Sequence, residues 1–234
     1  MAQAPVDTLL YSQMGAELRS RNFTAHMRTI DQVVRDARPL LLHRPKTVVM
    51  GVEREQPRDV GFFSDASTGY LYSHRLMHAR PLSGAMRDLL QVLNDAYGVE
   101  FNGMLVSRYR DGNDSVGAHG DREAGVDTEA GVVILSWGAT RKFRLRHNGK
   151  GNPVIVDVPT KHGHALQMHG TDFQTALLHE IPKELRVHTE RISITARRHL
   201  PQYERLLDRQ RVREAARARR EAEAEVEAEA THPP

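Results

Sequence analysis

The stretch Ser107-Arg-Tyr-Arg-Asp-Gly-Asn-Asp-Ser-Val-Gly-Ala-His119-Gly120-Asp121 ends in the triplet on which the reading of this chain turns. In an extended strand successive side chains leave opposite faces, so His119 and Asp121, two apart, share one. An imidazole and a carboxylate then meet at one point, and Gly120 keeps the backbone between them unobstructed. Taken alone, a His-X-Asp triplet is more often a surface turn than a metal site. A metal held this way needs a third ligand from elsewhere. Two histidines and one carboxylate on one face of an iron atom leave the opposite positions open for substrate and oxygen.

Downstream, four histidines compete for the third position: His162, His164, His169 and His179. His179 is the best candidate. It follows the apolar run Ala176-Leu177-Leu178 and opens His-Glu-Ile-Pro-Lys, which places it at the end of a strand, facing a rim. His162 reads as part of a turn, and His164 and His169 as ordinary polar positions. Next comes Arg191-Ile-Ser193-Ile-Thr195-Ala-Arg197, a strict alternation. Arg191, Ser193, Thr195 and Arg197 share one face, and Ile192, Ile194 and Ala196 the other. Such a polar face is either solvated, as in many antiparallel sheets, or turned into a barrel mouth. In the second case the two guanidiniums can grip a dicarboxylate through paired, charge-assisted hydrogen bonds.

Around these motifs, residues 101–197 read as short strands separated by Gly- and Asn-rich turns: Gly103–Tyr109, Val132–Trp137, Lys142–Arg146 and Val154–Val158, with Asn148-Gly149-Lys150-Gly151 as a hairpin loop. Upstream, helical spacing marks 27–38, ended by Pro39, and Pro81 to Tyr97, with Met86, Leu89, Leu90, Leu93 and Ala96 as the apolar face. Val48-Val49-Met50 reads as a short strand and Gln56-Pro57-Arg58-Asp59 as a loop. The expected fold is α+β, mainly β: a double-stranded β-helix (jelly roll) with N-terminal helices. Phe62, Phe63, Tyr70 and Tyr72 cluster between the helical segments. They either pack a core or, if Leu71 faces inward, present Tyr70 and Tyr72 to a cleft. Residues 1–24 are polar and weakly patterned. The tail is Arg-rich over 201–220 and then places Glu at every second position from Glu221 to Glu229. That gives no apolar stripe, so 203–230 reads as a solvated helix or as disorder.

Composition bounds the function. The 234 residues carry 39% hydrophobic and 27% charged side chains and a net charge of +3, which permits nucleic acid binding without demanding it. No cysteine is present, so a disulfide scaffold is excluded. No apolar run reaches the roughly 20 residues of a membrane span. Met-Ala-Gln-Ala-Pro does not open a signal peptide. The expectation is a cytoplasmic monomer, or a nuclear one in a eukaryotic host.

Taken together, His119-Gly-Asp121, His179 and the Arg191–Arg197 strand resemble the AlkB-type dioxygenases, with support from Gly69-Tyr-Leu-Tyr-Ser73 and Ser107-Arg-Tyr-Arg-Asp-Gly112. The resemblance covers roughly residues 45–198. The expected regions are a variable segment 1–24, a dioxygenase domain 25–200 and a charged helical or disordered tail 201–234. The resemblance implies Fe(II) held by His119, Asp121 and His179, which are also the catalytic set. It implies 2-oxoglutarate bound by Arg191 at its distal carboxylate, helped by Tyr109, with Arg197 near the metal-proximal end and Ser107 and Ser193 beside it. The family usually has Asn at those last two positions, and serine reaches less far. For the substrate it implies Phe63 or Tyr72, with His119, sandwiching a flipped base, Tyr70 at the nucleic acid backbone and Glu123 at the base edge. The implied activity is oxidative demethylation of N-alkylated bases such as 1-methyladenine and 3-methylcytosine in DNA or RNA, releasing formaldehyde, succinate and CO2. The alternative is 2-oxoglutarate-dependent hydroxylation of a protein or small molecule. A cupin-type binding protein is the more distant rival, and it has no need of the Arg191 and Arg197 pair.

Overall fold

The computed structural model describes residues 7–200 except 14, 50–51, 73–74, 123–124 and 171, together with helical positions 209, 212, 215, 216 and 219, which are exposed. The expectation for the tail, 203–230, therefore lies almost wholly outside the described residues. In chain order the elements begin with β1 (Thr8–Gln13), β2 (Ala16–Asn22), α1 (Met27–Ala37), β3 (Lys46–Val49), β4 (Val52–Glu55), β5 (Asp59–Ser64), β6 (Gly69–Tyr72) and β7 (Arg75–His78). They continue with α2 (Gly84–Tyr97), β8 (Gly103–Tyr109), β9 (Val116–His119), β10 (Val132–Gly138), β11 (Lys142–His147) and β12 (Val154–Pro159). The last are β13 (His164–His169), α3 (Phe173–Ala176), β14 (Leu177–Ile181) and β15 (Arg191–Arg197).

Two antiparallel sheets make the jelly roll. The larger runs β1-β2-β13-β10-β15-β8-β5 and the smaller β12-β11-β14-β9. Hairpins β3–β4 and β6–β7 stand apart as two-stranded ribbons. The larger sheet is covered on both faces. Ile192, Ile194, Val106 and Leu135 pack on Ile30, Val33 and Val34 of α1 and on Leu89 and Leu93 of α2. The opposite face packs on the smaller sheet through Tyr109, Ile134, Phe143, Leu145 and Leu166. The helices are placed by their own sequences. In α2 the Ser83 hydroxyl accepts from Met86 N–H at 3.3 Å and so satisfies an orphan donor. Gly98, at φ +66°, ends the helix in the left-handed conformation that glycine adopts without a Cβ clash.

The N-terminal segment differs from the sequence reading. Thr8–Gln13 and Ala16–Asn22, read as weakly patterned, are strands: β2 pairs with β13 from His164↔Asn22 to His169↔Glu17 and extends the larger sheet. Only Ala16 and Leu18 of β2 are buried, between charged neighbours, and two apolar positions are too few to read as an alternation.

Candidate active site

The β15 alternation decides the site. All seven residues of Arg191–Arg197 are buried, because the strand lies between β10 and β8 with helices on one face and the smaller sheet on the other. The solvated-strand alternative is thereby excluded, and the polar face turns inward. Arg191, Ser193, Thr195 and Arg197 line one cavity with Ser107 and Tyr109 of β8 and with His119, Asp121 and His179. Register places them in matching pairs: Arg191 opposite Tyr109, and Ser193 opposite Ser107.

His119 and His179 are cross-strand partners in the smaller sheet, with ring centroids 4.3 Å apart. His179 sits in the middle of β14 and not at its end, as the sequence suggested. Asp121 also departs from expectation. β9 stops at His119, so Asp121 lies just beyond the strand, and other contacts fix it. Its backbone N–H donates to Gln174 Oε1 at 2.8 Å, and its Oδ1 stands 2.7 Å from Arg197 Nη2. Gly120 serves the same turn, since a Cβ there would lie 2.7 Å from the Gln174 carbonyl oxygen.

One ligand atom from each of His119, Asp121 and His179 lies within 4.8 Å of the others, a set that one ion can bridge. His119 Nδ1 donates to the Gly117 carbonyl at 2.9 Å, which fixes the tautomer with the lone pair on Nε2, 3.7 Å from Asp121 Oδ1. His179 Nε2 stands 3.9 Å from Asp121 Oδ2, with Phe143 stacked on its ring at 5.4 Å. Burial, and then the neighbouring His119, lowers the His179 pKa to about 3. Burial lowers His119 as well. Burial alone would raise the Asp121 carboxyl, but Arg197, His179 and His119 outweigh it and hold it below the usual range. Two neutral imidazoles and one carboxylate at neutral pH are the donor set that suits a divalent iron.

The co-substrate end is marked by an unsatisfied cation. Arg191 is 1% exposed. Its Nη2 donates to Ser136 Oγ at 2.9 Å, but Nε and Nη1 have no partner among the described residues. Burial lowers its pKa to about 10. A buried guanidinium with two unused donors fits a carboxylate that arrives from outside. Tyr109 is held between guanidiniums, with Arg191 at 5.3 Å and Arg141 at 5.8 Å from its ring centroid. Arg141 is itself buried, donating to the carbonyls of Asp111, Asp114 and Pro182.

Two of the four residues expected at the substrate, Phe63 and Tyr70, fall elsewhere. Phe63 is fully buried on the helix side of the larger sheet, opposite Met104, so it is turned away from the cavity. Tyr70 is 1% exposed and packs on Phe62 at 5.7 Å. It offers no ring face to a base. Tyr72 lies on β6, but its side chain, like all of Glu123, is outside the described residues. Sequence reasoning missed Gln174, Ser136, Arg141 and Arg58. Arg58, read as a loop residue, is 5% exposed and lines the cavity. No local pattern marks these residues, because each is brought in by tertiary packing.

A model of the 2OG-Fe(II) oxygenase superfamily matches residues 22–197. The human DNA oxidative demethylase ALKBH2 is 30% identical over 157 residues, which cover 64% of this chain and 59% of that protein. The human alpha-ketoglutarate-dependent dioxygenase alkB homolog 3 is 32% identical over 151 residues, covering 61% and 52%. The chain thus spans little more than half the length of these relatives. The solved structure of OsALKBH1 superposes with a TM-score of 0.53 at 16% identity, covering 80% of this chain and all of the other, and shares the fold.

Proposed function

The chain belongs to the 2OG-Fe(II) oxygenase superfamily, and on that footing we propose that it is an oxidative demethylase of N-alkylated bases, such as 1-methyladenine and 3-methylcytosine, in nucleic acid. The observation that carries the reading is the single cavity shared by the His119–Asp121–His179 set and the unsatisfied Arg191. The substrate class is supported by the relatives, of which one is named a DNA oxidative demethylase.

His119, Asp121 and His179 would hold Fe(II), and Arg191 the distal carboxylate of 2-oxoglutarate. When bound, the two groups supply the oxidising chemistry: with dioxygen, 2-oxoglutarate gives succinate and CO2, and the hydroxylated N-methyl group leaves as formaldehyde. The chain's own residues do the rest. His119 and His179 stay neutral and offer lone pairs, so no proton competes for them at neutral pH. Arg197 keeps Asp121 ionised and oriented. Ser107 and Ser193, both buried, offer hydroxyls beside Arg191. Leu105, Val116, Ile134 and Phe143 line the walls and exclude water. The base leaves its stack to reach this cavity, which costs least for a lesion that pairs badly.

The test is incubation with Fe(II), 2-oxoglutarate and a panel of methylated oligonucleotides, read by mass. Loss of one methylene per lesion, matched by succinate, is expected. One observation favours the second reading, hydroxylation of a protein or small molecule: Phe63, one of the two rings expected to stack on a flipped base, is buried on the helix side of the larger sheet. Succinate formation with every oligonucleotide left unchanged would move the assignment there.

A further inference from the structure

Behind the Arg197–Asp121 pair lie aromatic contacts that the proposed chemistry does not use. The Arg197 guanidinium, whose Nη2 is 2.7 Å from Asp121 Oδ1, lies over the Tyr70 ring at 5.0 Å from its centroid. Tyr70 is wedged from behind. Phe62 stands 5.7 Å away, and the His199 ring meets it edge-on at 6.3 Å and 87°. His199 also touches Phe62, with centroids 5.0 Å apart, and is 5% exposed. Its backbone is pinned on both sides by Asn102, whose Oδ1 accepts from His199 N–H at 2.8 Å and whose Nδ2 donates to His199 O at 2.9 Å. Gly103 leaves room for the ring, since a Cβ at that position would lie 2.9 Å from His199 Cδ2.

We infer that Tyr70, buttressed by Phe62 and His199, is a positioning residue for the metal-binding carboxylate Asp121, acting through Arg197. The inference rests on the metal-site reading above. The physical reason is one of choice among rotamers. A long arginine side chain has several ways to reach a carboxylate, and each costs entropy to select. An aromatic face that attracts the guanidinium holds one of them. Asp121 then keeps its ligand oxygen toward His119 and His179. The resemblance would put Tyr70 at the substrate backbone. The geometry instead places its ring face on Arg197, one contact removed from the metal ligand.

The experiment titrates Co(II) into the metal-free full chain, without 2-oxoglutarate or nucleic acid, and follows both affinity and the cobalt absorption bands. Tyr70→Phe keeps the ring and is expected to bind Co(II) as wild type does. Tyr70→Leu loses the aromatic face and is expected to weaken binding about 3- to 30-fold, the worth of one cation–π contact, with altered bands. His199→Phe preserves the wedge and is expected to stay near wild type, whereas His199→Ala should share part of the Tyr70→Leu defect. Folding of each variant is checked by its thermal transition, and Tyr70→Met replaces Tyr70→Leu if the latter unfolds. Wild-type affinity and bands in the Leu or Met variant, with only the oligonucleotide KM raised, would overturn the inference and return Tyr70 to the substrate. Failure of the wild-type chain to bind Co(II) would instead overturn the metal-site reading itself.

Discussion

Two regions of the molecule carry side chains that could line a cleft, and they end in opposite places. In β15 the alternate polar residues, Arg191 to Arg197, are buried between two sheets and line the cavity. In β5 and β6 the aromatics that looked ready to line a cleft are packed into cores, Phe63 against the helices and Tyr70 against Phe62. The difference is energetic. An arginine loses several kcal/mol on burial unless an anion meets it, so a buried polar face implies something to bind. An aromatic ring gains on burial, so an aromatic cluster suits a core as well as a cleft. Polar alternation is therefore informative once burial is known, and aromatic clustering is not.

Asp121→Ala should abolish metal-dependent 2-oxoglutarate turnover while leaving the circular dichroism spectrum unchanged. Turnover at the wild-type rate would remove the triad from the account. For the aromatic side, Phe63→Ala should cost about 3–5 kcal/mol of stability, as large core truncations do, measured by urea unfolding. The oligonucleotide KM of the folded fraction should not move. A raised KM with little loss of stability would put Phe63 back at the substrate.

Smaller effects sharpen the polar side. Arg191→Lys keeps the charge but loses the fork. Removing one hydrogen bond to a charged group costs about 1.5–3 kcal/mol, so the 2-oxoglutarate constant should rise roughly 10- to 100-fold. A constant within twofold of wild type would detach Arg191 from the co-substrate. His199 is held at a pKa of about 4 by burial and by Arg197. As pH falls below the ordinary histidine value near 6.5, the unfolded chain takes up a proton that the folded chain refuses. Stability drops until about pH 4 and is fully present above pH 6.5. By pH 5 this amounts to about 2 kcal/mol, and His199→Phe should remove that part of the loss between pH 7 and pH 5 in urea melts of the metal-free protein. An unchanged acid slope would contradict the buried neutral imidazole. Deleting 203–234 should have the smallest effect, leaving turnover on a short methylated oligonucleotide unchanged. A loss of folding would show that the tail docks on the core.

Much of the fold was legible because its strands and helices carry their own periodicity. Gly103–Tyr109 coincides with β8, and α2 begins and ends within three residues of its expected limits. β2 was not legible, because a strand that buries only Ala16 and Leu18 gives no pattern. His119, Asp121 and His179 were visible as residue types in order, yet the reason they meet was misread. Asp121 is not on the strand with His119. Gln174 and Arg197 hold it there, and neither contact can be seen from spacing. Phe63 and Tyr70 were assigned by likeness of position, which does not say which face of a covered sheet a ring will take.

The central claim is that the inward face of β15 and the triad form one site for a dicarboxylic keto acid beside a metal. It is tested most directly by calorimetric titration of the Co(II)-loaded wild-type chain with 2-oxoglutarate and, separately, with glutarate, which has both carboxylates but no keto group. Saturable one-to-one binding of 2-oxoglutarate, tighter than that of glutarate, is expected, since Arg191 serves both acids and the metal only the first. Absence of saturable 2-oxoglutarate binding, or equal affinity for the two acids, would contradict the claim.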